Sequence, residues 1–121
     1  MTGVPRKVPA SFRLPRLPSP LYRVVFDTGR DAYGRTLAMW VLALPNADRR
    51  VGVVVSKKKF RKAVDRNRAK RLLRETFRLS RHRLKPGVGV VMVARAGMAG
   101  KTCQYVIEDF ERVCKRLRIW R

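Results

Sequence analysis

The chain has 121 residues, enough for one domain of ordinary size and a short arm, and 45% of them are hydrophobic, which supports a modest core and excludes wholesale disorder. It carries 30 Lys and Arg against 8 Asp and Glu, a formal charge of +22. Self-repulsion at that charge opposes folding, so it points to a polyanionic partner, with nucleic acid ahead of a membrane surface.

Residues 1–18 hold Pro5, Pro9, Pro15 and Pro18 among Arg6, Lys7, Arg13 and Arg16. Proline at this density blocks helix and central strand, so a basic, largely extended arm is expected, with Phe12, Leu14 and Leu17 placing its later part against the domain. Ser19-Pro20 is a helix start, Ser as N-cap and Pro at the first helical position. The helix runs to Asp27 or Thr28 and stops at Gly29. Leu21, Val24 and Val25 form one edge. Tyr22 and Phe26, four residues apart, form a second, aromatic edge, and spacing leaves open whether it is core or a binding surface.

Residues 36–44 are apolar on both alternations, which suits a strand covered on both faces. Pro45-Asn46-Ala47-Asp48 supplies a turn into a strand at 51–56, expected to pair with the first as a hairpin. That strand leads into a basic block. Between Lys57 and Glu75 there are ten Lys or Arg and two acids. Laid on a helix, Ala69, Leu72, Leu73, Thr76 and Phe77 share one side. Asn67, Lys70, Arg71, Arg74, Arg78 and Arg81 gather roughly opposite, with Arg66 and Arg68 on the flanks. Such a helix buries one face in its own domain and offers the other to phosphate. Glu75, four residues after Arg71, is expected to hold that side chain.

Lys85-Pro86-Gly87 breaks the chain before a buried strand at 88–94, and a glycine-containing loop at 95–101 follows. Thr102 caps a final helix whose stripe of Cys103, Val106, Ile107, Phe110, Val113, Cys114 and Leu117 is core packing. The order is helix, two strands, long helix, strand, helix. This is an α+β domain over residues 19–118 with a short tail at 119–121, and the long helix crosses over to reach the strand at 88–94.

Catalytic chemistry finds little support. His82, the sole histidine, sits among Arg81 and Arg83 and has no Ser or Cys partner set. Glu108, Asp109 and Glu111 fan over a wide helical arc and are expected to be solvated, not to converge on metal ions. Cys103 and Cys114 lie about 16 Å apart along a helix, beyond the roughly 7 Å reach of a disulfide, and read as buried thiols in a reducing compartment. No apolar run approaches the ~18 residues of a membrane span and no signal-peptide stretch is evident, so a cytoplasmic location is expected. Zinc-finger, helix-turn-helix and aromatic-sheet RNA-binding signatures are absent.

The run Val53-Val54-Val55-Ser56-Lys57-Lys58, followed by Ala63-Val64-Asp65-Arg66-Asn67-Arg68-Ala69-Lys70-Arg71-Leu72-Leu73-Arg74-Glu75, closely resembles the bacterial ribonuclease P protein component. Arg-Asn-Arg, Lys-Arg and Arg-Glu stand at the family's spacing on a long helix after a Ser-Lys-Lys strand end, and the resemblance runs from about Arg13 to Leu117. It implies a fold like the second domain of ribosomal protein S5, a small mixed sheet with three helices and a left-handed βαβ crossover, against the right-handed default.

The resemblance also implies a function. It is that of the protein subunit of an RNA-based endonuclease that removes the 5′ leader from precursor tRNA. Chemistry would belong to the catalytic RNA and its Mg²⁺, bound mainly by that RNA, with no membrane and no obligate protein partner. Arg66, Asn67, Arg68, Lys70, Arg71 and Arg74 match the helix facing the catalytic RNA. Tyr22 and Phe26 match aromatics of a leader cleft, and Lys57, Lys58 and Arg95 match basic positions around it. Two departures stand out: Gly89 replaces the family's usual Asp, and the loop between Lys58 and Ala63 is one residue longer than in many members.

Overall fold

A computed structural model of the protein describes residues 20–43 and 49–121, so the expected N-terminal arm, the Ser19 cap and the 45–48 turn lie outside the described residues. The elements run α1 (Pro20–Thr28), β1 (Arg30–Tyr33), β2 (Leu37–Ala43), β3 (Arg50–Val54), α2 (Ala63–Ser80), β4 (Val88–Ala94) and α3 (Cys103–Arg116). Two 3₁₀ turns, Arg81–Arg83 and Ala96–Met98, extend α2 and follow β4.

The strands form one mixed sheet in the order β1-β2-β4-β3. β1 pairs antiparallel with β2, and β2 antiparallel with β4, Trp40 lying opposite Val91. β3 pairs parallel with β4, Val53 opposite Met92, and α2 makes the crossover between them. The expected hairpin between residues 36–44 and 51–56 is therefore corrected: β4 stands between those strands. Burial explains the arrangement. Six of the seven residues of β4 are buried, whereas β3 is half-exposed at Arg50, Val53 and Val54, as an edge strand is. β1 was not expected from its sequence. Arg30-Asp31-Ala32-Tyr33 shows no apolar period, and the strand exists as an edge partner of β2, exposed at three of its four positions.

Alternation along the strands divides the apolar residues between two faces. On one face Leu37, Met39, Val41, Val51, Val90 and Met92 meet α2 through Ala69, Leu73 and Phe77, and α3 through Val106, Phe110, Val113 and Cys114. Side chains as fully buried as Leu73 and Phe77 each contribute about 1.5–3 kcal/mol. On the other face Val25 of α1 buries against Val91, with Tyr22, Trp40, Leu42, Val54 and Val93 packed around them. Only α1 covers this second face among the described residues, and it leaves part of it open.

Thr102 caps α3 as expected, its hydroxyl accepting from the Tyr105 amide at 3.2 Å. Beyond α3 the chain stays on the domain. Ile119 is buried, Trp120 bridges to Leu84, and the Arg121 amide donates to the Arg83 carbonyl at 2.6 Å. Arg83 lies over the Trp120 ring at 5.0 Å.

Candidate nucleic-acid interface

α2 buries Ala69, Leu73, Thr76, Phe77 and Ser80, and Leu72 packs half-buried beside them. The face opposite carries the basic residues, and they divide into two kinds. Arg66 is turned back onto its own protein: Nη1 donates to the Phe60 carbonyl at 3.0 Å and the Arg61 carbonyl at 2.7 Å. Arg68 Nη2 donates to the Lys101 carbonyl at 2.7 Å and ties α2 to the loop before α3. Asn67 and Arg71 are exposed, Lys70 and Arg74 half-buried, and none of the four side chains has a hydrogen-bond or ion-pair partner among the described residues. The long loop before α2 is also ordered by the protein. Phe60 plugs into the core at 5% exposure, and the Ser56 hydroxyl accepts from the Lys58 amide at 3.1 Å. Lys57 and Lys58 ride exposed on the turn this creates.

Three expectations on the helices are corrected. Glu75 pairs with Arg78, three residues on, not with Arg71, and the hydrogen bonds from that guanidinium hold the carboxyl below the usual range. Arg81 belongs to the buried set at 4% exposure: it lies four residues after buried Phe77 and eight after Leu73, which puts it along the edge of the apolar stripe and not on the face opposite. Asp109 is not solvated but 2% exposed. It accepts from the Thr36 amide at 2.8 Å, the Thr36 hydroxyl at 2.7 Å and the Arg35 amide at 3.3 Å. Burial pushes its carboxyl up, but those hydrogen bonds and Arg112 more than offset this and hold it below the ordinary range. The approach is close: a Cβ on Gly34 would meet the Asp109 carboxylate at 2.5 Å.

On the other face of the sheet, Tyr22 of α1 lies directly over β3. A Cβ at Gly52 would meet the Tyr22 ring at 2.4 Å, so glycine there gives the ring its seat. Phe26 is 38% exposed and meets the Trp40 ring edge-on at 4.9 Å. Trp40 in turn meets Tyr33 at 5.6 Å, and the Arg95 guanidinium lies over Tyr33 at 5.5 Å. Phe26, Trp40 and Tyr33 thus form a row of rings ending at Arg95. Trp40 and Tyr33 were missed from sequence. The first hides in an apolar run, and the second sits in a strand whose composition is polar. Gly89 is buried between Leu42 and Arg50 of the neighbouring strands, on this same face.

Residues that could do other chemistry are few. Among the described residues no three or more of His, Cys, Asp and Glu gather to hold a metal ion, and no helix is long and apolar enough to cross a membrane. Cys114 is buried and Cys103 only half-buried, and burial pushes both thiols up, away from reactive thiolate.

Known proteins resemble this chain in sequence and in fold. The family model described as Ribonuclease P matches residues 16–118. A ribonuclease P protein component from Chromohalobacter salexigens is 60% identical over 60 residues, a match spanning 48% of this chain and under half, 46%, of that protein. One from an Exiguobacterium strain is 36% identical across 82% of this chain and 85% of its own length. Among solved structures, the RNase P protein of Staphylococcus aureus superposes with a TM-score of 0.76 at 22% identity, covering 91% of this chain and all of that one, a likeness of fold.

Proposed function

The chain belongs to the bacterial ribonuclease P protein component family, and from that premise we propose that it acts by holding two RNAs together. The observation carrying this is the row of uncommitted polar ends on α2, Asn67, Lys70, Arg71 and Arg74, beside two arginines that brace the helix from within. In this reading α2 lies on the catalytic RNA. Its cations neutralise phosphates and release counterions, while Asn67 donates and accepts at a backbone or base edge. The 5′ leader of precursor tRNA occupies the open part of the other sheet face. Bases stack on Tyr22, Phe26 and Trp40, worth roughly 1–3 kcal/mol each, while Lys57, Lys58 and Arg95 meet the backbone.

The polypeptide contributes no reactive group. Mg²⁺, bound mainly by the RNA partner, would activate the attacking water and offset phosphate charge there. The protein's part is to screen repulsion between the RNAs, support the folded catalytic RNA and grip the leader, in the cytoplasm where tRNA is processed. Reconstitution with the catalytic RNA at low Mg²⁺ tests this. Leader removal should be stimulated, and Tyr22→Ala should lower affinity for leader-bearing precursor about tenfold with mature tRNA unaffected. Absent stimulation, or cleavage by the protein alone, would overturn the reading.

A further inference from the structure

A second concentration of positive charge lies away from the free face of α2. Where the β1–β2 turn, the loop after β3, the turn after β4 and α3 meet, there is an open hollow of about 740 Å³. Arg35, Lys59, Arg95, Arg112 and Arg116 line it, and Asp109 is the one acid among its described lining residues. All five cations are exposed, so packing does not account for bringing them together from four separate segments against their mutual repulsion.

Three of the arginines are already fixed in place. Arg95 Nη1 donates to the Gly34 carbonyl at 2.7 Å, Arg116 Nη1 to the Tyr33 carbonyl at 2.8 Å, and Arg112 Nη2 to Asp109 at 3.3 Å. A guanidinium has five N–H donors, so each anchoring bond leaves further donors oriented and unspent. Asp109 offsets only part of the charge around it: one carboxylate, paired with Arg112, stands against five cations, and its oxygens also accept from Thr36 and the Arg35 amide. Planar donors held in fixed positions match phosphate oxygens in forked pairs. The hollow also adjoins the row of rings, because Tyr33 lines it and meets Trp40, which meets Phe26.

We propose that this hollow is a phosphate site for the RNA strand that stacks on the Phe26–Trp40–Tyr33 row, so that the leader is gripped first by rings and then, around the end of the sheet, by the α3 arginines. This rests on the leader reading above. The ligand is a backbone phosphodiester of single-stranded RNA, and Arg112, Arg116, Arg35 and Lys59 are its contacts beside Arg95.

The test uses the reconstituted protein–RNA complex with two precursors, one with a long leader and one whose leader is too short to reach the rings. Arg112→Gln combined with Arg116→Gln should weaken binding of the long-leader precursor about tenfold and reduce the salt slope by about one to two. The short-leader precursor and the catalytic RNA alone should bind as before. Lys59→Gln removes no intramolecular bond and should give a smaller loss, about threefold, with the same selectivity. Equal losses on the short-leader precursor or on the catalytic RNA would overturn the proposal, as would an unchanged salt slope. Tyr22→Ala, measured in parallel, separates the two failures. A leader-selective loss there without one in the α3 variants overturns this inference alone, whereas no leader selectivity in any variant overturns the leader reading along with it.

Discussion

Asp109 gathers positive charge and, through Arg112, neutralises only part of it. Its carboxylate closes on the amide and hydroxyl of Thr36 and on the Arg35 amide, which fixes the β1–β2 turn against α3. Asp109→Ala would leave those donors buried and unmet, and we expect a loss of about 2–4 kcal/mol in chemical denaturation, far more than at exposed Glu108. The same group gives stability a pH dependence. Its folded pKa lies below its unfolded value, so the contribution is fully present above the unfolded pKa, near 4, and is lost as acid takes the pH down through the folded pKa. Wild-type stability should therefore fall on acidification below about pH 4 more steeply than that of Asp109→Asn, which melting curves across that range would show. Nothing in the spacing of Glu108, Asp109 and Glu111 separates the buried acid from its neighbours. The distinction arises only when a distant turn arrives with donors for one of them.

At the scale of the element, α2 was the most readable part of the chain, since its apolar stripe and opposing basic face both survive in the fold. What the pattern did not reveal is how its arginines divide between bracing the protein and facing outward. Helical angle places Arg66 and Arg68 on the flanks, but the carbonyls they bind belong to the loops before α2 and before α3. We expect Arg66→Ala to lower stability by about 1–2 kcal/mol, while Arg71→Ala leaves stability within 0.5 kcal/mol and flattens the salt slope of RNA binding by about one. Thermal melts and binding titrations on both variants check the division. The strands show a similar limit. Continuous apolar runs identified β2, β3 and β4 as strands, but partner choice depends on which strand is apolar enough for the centre, and β1 takes its shape from its neighbour rather than from its own residues.

For the molecule as a whole, the formal charge of +22 acts in opposite senses on folding and on binding. Added monovalent salt screens the self-repulsion of the folded domain and competes with the RNA for its cations. Between low and moderate salt, Tm of the free protein should therefore rise while affinity for the catalytic RNA falls. Parallel changes in the two quantities would contradict a surface built for phosphate. The two proposed RNA contacts lie on opposite sides of one sheet, α2 on one and α1 with its open aromatic row on the other, so a single rigid layer sets their separation.

That layer has its keystone last in the chain. β4 fills the gap between β2 and β3, yet residues 88–94 follow both by more than thirty positions. During translation the earlier strands wait with facing borders unzipped until the final third of the polypeptide leaves the ribosome. A premature stop before residue 88 would release a fragment with two sticky margins, an obvious client for chaperones and proteases.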